Sequence, residues 1–442
     1  MKIMTVGGGA REHAMVDALV RSGGEVYSTM SNKNPGIASL AEDILICSDT
    51  DIETIASWGV EKGVKMAVIG PEAPLGEGIV DRLEEEGIMC ASPNRDAAEL
   101  EISKEFMRNL MKKYDLPGSV DYETFDDMEK VEDFLSHYSG ELVVKPVGLT
   151  GGKGVKVMGE HLEDKMDVIN YCRDILENKI GGQSKVVLEE KLLGEEYTLH
   201  IFTDGQNMIP TPLVQDHKRL YEGDQGPNTG GMGSYSMKDG LLPFVDEDTY
   251  KQSIEIMKRV IASMEREGRR YKGVLYGQFM LTAKGPKVIE FNCRWGDPEA
   301  MNILPLLESD YVELCRGMAQ GDISDLKAVF QKKFSVCKYV VPEGYGFKSI
   351  PGNKIVVDER GIEGAGARLF YASVDEKEGD IFTTTSRSLA VVGFADDMKA
   401  AERASENALS FIQGKGIHMR HDIGKASSLQ RKVDRMKEIR GD

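Results

Sequence analysis

The sequence lacks a long apolar run: across its 442 residues, no stretch approaches the roughly 18 apolar residues of a membrane-spanning helix. It also lacks an apolar segment of signal-peptide length at its start, because Met1–Val6 leads directly into a glycine turn. We therefore expect a cytoplasmic protein that does not contact a membrane.

Cysteine is scarce and widely spaced. The six cysteines are scattered and none forms a Cys-x-x-Cys pair, which argues against a disulfide framework and against a structural zinc site. We expect them to be reduced core residues. His418 and His421 lie three residues apart in a basic segment, and a solvated surface is favoured there over a metal pair.

Positive charge is in deficit. The chain has 55 lysines and arginines against 73 aspartates and glutamates, which gives a net charge of −18. Such a charge opposes non-specific attraction to nucleic acid or to an anionic membrane. Any phosphate bound by this chain must therefore be held locally, by a few side chains.

The length suggests about three domains, and 41% hydrophobic with 29% charged residues is ordinary for a soluble globular protein. Residues 1–102 alternate short apolar strands with amphipathic helices, which is typical of an open, largely parallel α/β sheet. Its binding sites should lie at the carboxyl ends of the strands, where Gly7–Gly9 and Gly70–Pro74 fall. Ser103 is placed to cap a helix over 103–113, so we set the first boundary at 102.

Two further domains are predicted. Residues 103–325 carry glycine-bearing or charged loops between strands, with a subdomain at about 120–190. Residues 326–442 form a C-terminal mixed α/β domain, with a strand at Phe334–Val341, a helix at Met398–Phe411 and no concentrated chemistry. The end of the chain, from Gln430, is interpreted as a mobile charged helix or tail. The predicted fold class is multidomain α/β and α+β.

The run Val288–Glu299 is the most informative segment. Its first half alternates apolar and polar residues with the period of a β-strand, so Glu290, Asn292 and Arg294 should project from one face. Carboxylate and amide oxygens suit Mg²⁺, and a guanidinium suits a phosphate or carboxylate. The row predicts a metal-phosphate site. An edge strand with a solvated polar face is the alternative.

The first glycine loop, Gly7–Glu12, follows a strand and opens a helix, as a dinucleotide-binding loop does. Glu12 occupies the third glycine position, and the second strand does not end in the acidic residue that would bind a ribose. The NAD interpretation is therefore weak. The free N–H groups of the helix N-terminus still favour the phosphate of a smaller ligand, with a tight structural turn as the alternative.

A second glycine-rich loop carries Lys145 at its base and Lys153 at its tip, between two strands. A Walker A loop would instead open a helix and would have serine or threonine where Gly154 stands. A flexible hairpin flap that closes over a polyphosphate fits the pattern better. Solvated lysines in a surface hairpin are the alternative.

Two other segments bring polar groups together. The acidic connector that follows Val186–Leu188 offers its backbone to an adenine edge and Glu196 to a ribose diol, although a charged surface hairpin would look similar. The Asp216–Arg219 cluster beside the glycine-rich run Gly226–Gly233 suits a small zwitterion and phosphate oxygens. His217 is assigned no role.

In order and spacing, these segments together resemble the ATP-grasp superfamily, whose ligases activate a carboxylate with ATP. Within it, the sequence is similar to the phosphoribosylamine-glycine ligase family, also called glycinamide ribonucleotide synthetases. The resemblance is dense from residue 1 to about 317 and looser beyond. The matching segments are Gly7–His13, Gly70–Leu75, Gln215–Arg219, Gly226–Gly233 and Glu290–Glu299.

The resemblance implies a central ATP-grasp domain and an ATP-dependent ligase of de novo purine biosynthesis. The implied reaction joins glycine to 5-phosphoribosylamine through glycyl phosphate, with ATP and Mg²⁺ or Mn²⁺ as cofactors. Small molecules are the expected partners, and a monomer is compatible with the sequence. The alternatives are another ATP-grasp ligase such as a carboxylase, an NAD-dependent oxidoreductase, and a non-catalytic nucleotide-binding regulator.

The resemblance also implies roles for individual residues. Arg294 would hold the glycine carboxylate or the transferring phosphoryl group, and Asp216 would lie near an amine. The implied metal ligands are Gln278, Glu290 and Asn292. The implied ATP-binding residues are Lys104, Lys145, Gly151, Gly152, Lys153, Gly154, Glu189, Leu192 and Glu196. The implied substrate-binding residues are Gly9, Arg11, Glu12, Glu72, Asp216, Lys218, Arg294, Gly296 and Asp297.

Overall fold

A computed structural model describes residues 1–149 and 154–441. Its first region is the predicted parallel sheet, with the strand order β3-β2-β1-β4-β5. The strands are β1 (Lys2–Val6), β2 (Glu25–Met30), β3 (Asp43–Ile46), β4 (Met66–Ile69) and β5 (Met89–Cys90). The helices are α1 (Ala10–Arg21), α2 (Pro35–Leu40), α3 (Ile52–Lys62), α4 (Glu72–Glu77), α5 (Ile79–Glu85) and α6 (Arg95–Ile102).

The sheet places its two glycine turns side by side. Strands β1 and β4 are parallel neighbours, so the turns that follow them meet at the same edge. The approach is close, because a Cβ on Gly7 would lie 2.8 Å from Pro71 Cδ. With φ at +110°, Gly7 also adopts a backbone conformation that L side chains rarely adopt.

Helix α7 (Lys104–Lys113) connects the first region to the second. The predicted cap is confirmed, because Ser103 Oγ accepts a hydrogen bond of 3.1 Å from the Phe106 N–H. The helix buries Met107, Leu110 and also Arg108. A charged side chain on the buried face requires partners inside the molecule.

A small subdomain follows, with its own apolar core and the strand order β6-β9-β7-β8. Its glycine-rich loop returns as a strand, as predicted, and not as a helix. Thr150, Gly151, Gly152 and Lys153, at the tip of this predicted flap, lie outside the described residues. The elements are β6 (Tyr122–Phe125), α8 (Met128–His137), β7 (Leu142–Pro146), β8 (Lys156–Val157), α9 (Lys165–Asn178) and β9 (Val186–Glu190).

The central sheet is antiparallel, with the order β17-β16-β10-β12-β15-β18-β23-β20. Strand β11 pairs with β10, and β13 and β14 form a separate hairpin. Helices α10 and α12 pack beside it. The elements before residue 325 are β10 (Glu195–Thr203), β11 (Met208–Pro210), β12 (Val214–Asp216), β13 (Arg219–Tyr221), β14 (Gln225–Asn228), β15 (Gly233–Ser236), α10 (Glu247–Arg266), β16 (Gly273–Thr282), β17 (Gly285–Asn292), α11 (Ala300–Ile303) and α12 (Tyr311–Gln320).

The C-terminal region continues this sheet. The predicted strand and helix there are confirmed as β18 and α14, and β18 pairs directly with β15, so no gap separates the second and third regions. Strands β19, β21, β22 and β24 form a smaller sheet. The elements are β18 (Phe334–Pro342), β19 (Lys354–Val357), α13 (Glu359–Gly364), β20 (Ala367–Tyr371), β21 (Val374–Lys377), β22 (Asp380–Thr383), β23 (Leu389–Ala395), α14 (Met398–Leu409), β24 (Ile412–Gly414), β25 (Ile417–Met419) and α15 (Ala426–Arg440).

Three further features concern the cysteines, the length of the apolar helices and the end of the chain. All six cysteines are free and five are buried, with Cys47 half-buried. Within residues 1–149 and 154–441, no helix is both long and apolar enough to cross a membrane. The predicted charged helix at the chain end is present as α15, and it packs on the molecule and buries Met436, which a free tail would not do.

Candidate active site

The three predicted metal ligands lie on two neighbouring strands. Strand β17 pairs with β16 so that Glu290 lies opposite Gln278 and Asn292 opposite Tyr276. Phe291 packs behind the row at 1% exposure. The register therefore brings the three predicted metal ligands onto one face of the sheet.

Gln278 has the properties expected of a ligand. It is 3% exposed, and its amide nitrogen donates to Glu196. Its Oε1 is buried and accepts no hydrogen bond from any described residue. An orphaned buried oxygen beside a carboxylate and a second amide fits a hard cation such as Mg²⁺ or Mn²⁺.

Cationic side chains converge on Glu290. Burial by itself would raise the pKa of this carboxyl, but Lys218, Lys104, Lys145 and Arg294 together hold the pKa below its ordinary value. For Lys104 the effects have the opposite signs: burial lowers the pKa of its amine and Glu290 raises it, and the net pKa is lowered. The site is thus one carboxylate and two amides surrounded by positive charge, which suits a metal-bound polyphosphate.

Lys145 is fixed by a buried ion-pair network. Glu189 accepts from Lys145 Nζ at 2.6 Å and from Arg108 at 2.7 and 2.9 Å. Arg108 also donates to the carbonyl oxygens of Val288 (3.0 Å) and Ile289 (2.9 Å) in β17. Burial alone would raise the pKa of Glu189, but the cations Arg108 and Lys145 lower it to about 2. One arginine therefore ties the flap strand β9 to the metal-site strand β17.

The remaining nucleotide-side residues surround this network. Lys104 Nζ donates to the Gly148 carbonyl at 3.1 Å, just before the undescribed tip of the flap. The Gly154 carbonyl accepts from the Tyr171 hydroxyl at 2.9 Å. Leu192 is half-buried in the connector between β9 and β10, and Glu196 pairs with Lys218 at 3.3 Å.

Arg294 forms ion pairs with two carboxylates of the first region. Its guanidinium lies 3.0 Å from Glu101 and 3.4 Å from Glu72. Burial raises the pKa of Glu101 to about 7 against the opposing effect of Arg294. For Glu72, burial raises the pKa, but Arg294 and Arg11 outweigh it and the net pKa is lowered. The sequence did not indicate Glu101, which lies 193 positions from its partner and in no glycine-rich or strand motif.

The glycine loop after β1 differs from the expectation of a free anion site. The Gly9 N–H donates to Glu12 Oε2 at 2.7 Å, so the side chain of Glu12 already occupies this donor. The other oxygen of Glu12 accepts from Arg11 Nε at 2.6 Å. A Cβ on Gly70 would lie 2.0 Å from Glu12, which explains the need for glycine there. The prediction of free N–H groups is therefore wrong at Gly9.

Loop 294–297 meets this glycine turn. Arg11 Nη1 donates to the Trp295 carbonyl at 3.3 Å, and a Cβ on Gly9 would lie 3.9 Å from Asp297 Oδ2. The Gly296 N–H donates to His200 Nε2 at 3.0 Å. The structure thus places the predicted substrate residues of the first region against those of the Glu290 run.

Two acids, the half-buried Asp216 and the buried Glu299, lie beside the Glu290 row. Burial raises the pKa of Asp216 well above its usual range, and Glu299 raises it further. Burial also raises the pKa of Glu299, whose Oε1 accepts from Thr198 Oγ1 at 3.1 Å. Asp216 Oδ1 has no hydrogen-bond partner among the described residues. An acidic pair with an unfilled acceptor suits an ammonium group. The sequence signal for Glu299 was its position at the end of the Glu290–Glu299 motif.

The C-terminal region, for which the sequence predicted no concentrated chemistry, supplies one arginine that contacts Asp297. Arg387 pairs with Asp297 at 3.2 Å and donates to the Asp297 carbonyl at 2.9 Å. It also donates to the carbonyl oxygens of Gly230 and Gly231. Tyr339 donates to Asp297 Oδ1 at 2.6 Å. No local motif marks Arg387, because its partners come from other parts of the chain.

The two histidines near the chain end contact different groups. His418 Nε2 lies 3.2 Å from the Leu220 carbonyl and His421 Nδ1 lies 2.7 Å from Glu406 Oε1, so the two rings face different partners. Among the described residues, no group of three or more His, Cys, Asp or Glu side chains is arranged to hold a metal. The oxygen row on β16 and β17, in which amides supplement one carboxylate, is the metal candidate.

A small flap sheet beside a central antiparallel sheet, with lysines converging on a Glu-x-Asn strand, defines an ATP-grasp ligase. Family models for the phosphoribosylglycinamide synthetase N domain, ATP-grasp (A) domain and C domain match residues 1–101, 102–300 and 335–426. The chain belongs to the phosphoribosylglycinamide synthetase family. The predicted family and fold class are confirmed, and the NAD-dependent oxidoreductase is not supported.

Relatives and solved structures agree. The chain is 48% identical over 440 residues to a protein of Methanothermobacter thermautotrophicus and 49% identical over 449 residues to one of Methanopyrus kandleri, both named phosphoribosylamine-glycine ligase; each comparison covers 100% of both chains. A crystal structure of phosphoribosylamine-glycine ligase from Thermotoga maritima has a TM-score of 0.82 at 28% identity, covering 96% of this chain and 100% of that one. A biotin carboxylase from Campylobacter jejuni, in complex with β,γ-ATP, shares the fold at 15% identity, with a TM-score of 0.73 and coverage of 99% and 95%.

Proposed function

We propose that this chain joins glycine to 5-phosphoribosylamine at the expense of ATP, giving ADP, phosphate and N1-(5-phosphoribosyl)glycinamide in purine biosynthesis. The observation that carries the proposal is the site itself, in which oxygen ligands and cationic side chains face one another. It occurs in a chain that matches proteins named for this activity over its full length. A cytoplasmic location and domain boundaries at about 102 and 325 remain part of the proposal. The family models meet at residues 101 and 102, which supports the first boundary, and the second lies in the interval between residues 300 and 335 that they leave uncovered.

The chemistry requires activation of the glycine carboxylate. A carboxylate is a poor acylating agent because oxide is a poor leaving group, so phosphorylation by ATP must precede attack by the amine. The intermediate is glycyl phosphate. Phosphoryl transfer of this kind depends on alignment and charge neutralisation, and needs little covalent participation by the protein.

The phosphate-binding side of the site is built from the ion-pair network. Gln278, Glu290 and Asn292 would hold Mg²⁺ or Mn²⁺, which when bound offsets the negative charge of the ATP phosphates. Lys104 and Lys145 would neutralise phosphate oxygens. Glu189 has both oxygens engaged by Arg108 and Lys145, which supports a role in orienting Lys145. Gly151, Gly152 and Lys153 are proposed flap contacts outside the described residues.

The glycine-binding side combines opposite charges. Arg294 would hold the carboxylate or the transferring phosphoryl group, with Glu72 and Glu101 fixing its guanidinium. Asp216 would bind the glycine ammonium, with Glu299 adding negative potential. A zwitterion needs a partner for each of its charges, and two strands of the central sheet supply them: Asp216 ends β12 and Arg294 follows β17.

The phosphoribosylamine would bind where the first region meets loop 294–297. Gly9, Arg11, Glu12 and Glu72 would line this pocket from one side, and Gly296 and Asp297 from the other. Support comes from the contact of Arg11 with the Trp295 carbonyl and from the close approach of Gly9 to Asp297. Arg387 holds Asp297 from the C-terminal region.

The test is glycine-dependent phosphate release from ATP in the presence of freshly made phosphoribosylamine. We expect release that requires both glycine and phosphoribosylamine, and a product in which glycine is bound through an amide. Release with bicarbonate in place of glycine would indicate a carboxylase instead. ATP binding without any release would indicate a nucleotide-binding regulator and would refute the proposal.

A further inference from the structure

Helix α15 lies outside the part of the chain that the family models describe. The C-domain model ends at residue 426, where α15 begins. The helix is basic and amphipathic, and it buries Met436 against the molecule. Its position raises the question of what its charged residues contact.

Lys432 and Arg435 bind a buried carboxylate on the central sheet. Glu195 is 3% exposed and lies 3.2 Å from Lys432 Nζ and 3.1 Å from Arg435 Nη1. The next residue in β10, Glu196, contacts Lys218 and Gln278 in the candidate active site. The helix is therefore anchored one residue away from the site.

Lys432 has a second partner on the hairpin formed by β13 and β14. Its Nζ lies 2.9 Å from Asp224 Oδ2, and Asp224 sits in the turn of this hairpin with φ at +59°. The hairpin follows Lys218 directly, and its second strand contains the start of the glycine-rich run Gly226–Gly233. One ammonium group thus bridges a strand of the sheet and the turn between two predicted substrate segments.

The hairpin has other anchors that do not involve Lys432. Arg420 Nη2 lies 3.0 Å from Asp224, and His217 Nδ1 lies 3.2 Å from it. The Gly223 N–H donates to Asp422 Oδ2 at 2.9 Å. Glu195 likewise keeps Arg435 if Lys432 is changed. Loss of Lys432 should therefore loosen the hairpin without leaving either carboxylate unpaired.

We propose that Lys432 is a positioning residue: α15 uses it to hold the β13–β14 hairpin against β10, so that Lys218 and Gly226–Gly231 stay aligned for glycine. The inference rests on the proposed function for its kinetic consequence. The bridge itself is independent of which ligand the site binds. Lys432 is 18% exposed as a side chain, so solvent screens its two ion pairs less than it screens pairs at the open surface.

The test compares Lys432→Met with Lys432→Arg in the full-length chain. For Lys432→Met we expect the KM for glycine to rise about fivefold, while kcat and the KM for ATP change by less than about twofold. Lys432→Arg should restore the KM for glycine. Lys437→Met is the matched control, because Lys437 is exposed on the same helix and forms no ion pair with a described residue.

A measurement that is independent of activity accompanies the kinetics. Amide hydrogen exchange of residues 219–228 should be about tenfold faster in Lys432→Met than in the wild type, with exchange in α9 unchanged. Unchanged hairpin exchange and unchanged KM for glycine would overturn the proposal. A parallel loss of kcat, ATP affinity and thermal stability would reduce Lys432 to a structural residue and would also overturn it.

The two proposals fail in different ways. If the wild type shows no glycine-dependent phosphate release, the proposed function fails whatever Lys432 does. Faster hairpin exchange in Lys432→Met would then still establish the bridge. Asp224→Asn gives a further check, because its effect on hairpin exchange should be smaller in the Lys432→Met background than in the wild type.

Discussion

Glu290 is a carboxylate that the surrounding lysines and Arg294 keep ionised inside the protein. Glu290→Ala should therefore retain the fold and lower glycine-dependent phosphate release by about a thousandfold or more, since charge stabilisation at a metal-phosphate site is worth several kcal/mol. Phosphate release and circular dichroism measure the two effects. Turnover near that of the wild type would refute the assignment of Glu290.

The matched control is Glu123→Gln, which alters an exposed carboxylate on the flap strand β6. It should leave turnover unchanged. Equal losses in both variants would point to a general effect of charge on the protein. Glu290→Gln, which keeps the shape of the side chain, should behave like Glu290→Ala because the charge is what the site requires.

The sequence could predict residues whose neighbours are close along the chain. Glu290 and Asn292 share a face because strand residues two apart always do, and Ser103 caps the helix that it precedes. Arg108 and Arg387 were not predicted, since their partners lie 81 and 90 positions or more away along the chain. Only the folded chain brings such groups together.

At the scale of elements, α7 connects the flap to the metal site through Arg108. Arg108→Met should destabilise the protein by about 3 kcal/mol or more, because it removes one partner from a buried ion pair. It should also weaken ADP binding, since Lys145 loses the network that orients it. Denaturant unfolding and isothermal titration calorimetry measure these effects.

Lys112→Met is the control on the same helix, at an exposed position whose amine stacks over Tyr122. It should change stability by less than about 0.5 kcal/mol. The double variant Arg108→Met/Glu189→Leu should recover much of the lost stability without recovering ADP affinity. Recovery of both would mean that the network is structural and does not orient Lys145.

Two elements show where pattern reasoning failed. The charges after Gln430 suggested a mobile charged helix or tail, but in the helix that forms there Lys432 and Arg435 face a buried carboxylate and Met436 fills an apolar contact. A charged helix with one apolar stripe can either extend into solvent or pack on the molecule. Which of the two occurs depends on whether the folded chain offers a complementary surface, and the sequence pattern of the helix does not show that surface. The turn at Gly9 offered a helix N-terminus, but the Glu12 side chain occupies its N–H.

For the whole molecule, the central sheet is the connecting structure. Its antiparallel pairing of β15 with β18 joins segments about 100 residues apart, which no local pattern could have predicted. The consequence is that Arg387 from the C-terminal region, Gly9 from the first sheet and Asp297 from the centre meet at one point. The candidate site therefore depends on all three regions at once.

The first and third regions also meet at His13 in α1. Its Nδ1 accepts a hydrogen bond of 3.0 Å from the Tyr371 N–H, and its ring lies against Phe370. A Cβ on Gly36 would lie 2.0 Å from the ring. Burial lowers the pKa of His13 to about 4, with Arg368 lowering it further and Asp17 opposing.

This pKa makes the contact sensitive to acid. Below about pH 6.5 the unfolded chain takes up a proton on His13, whereas the folded chain does so only near pH 4. The free energy of unfolding is therefore unaffected by His13 above pH 6.5 and falls as the pH is lowered from 6.5 to 4. The loss attributable to His13 at pH 5 should be about 2 kcal/mol. His13→Gln keeps an acceptor near Tyr371 and should reduce the fall in unfolding free energy between pH 7.5 and pH 5 by about this amount.

The control is His137→Gln, which changes an exposed ring in α8 and should follow the wild type. Identical pH slopes for His13→Gln and the wild type would show that protonation of His13 does not govern this junction.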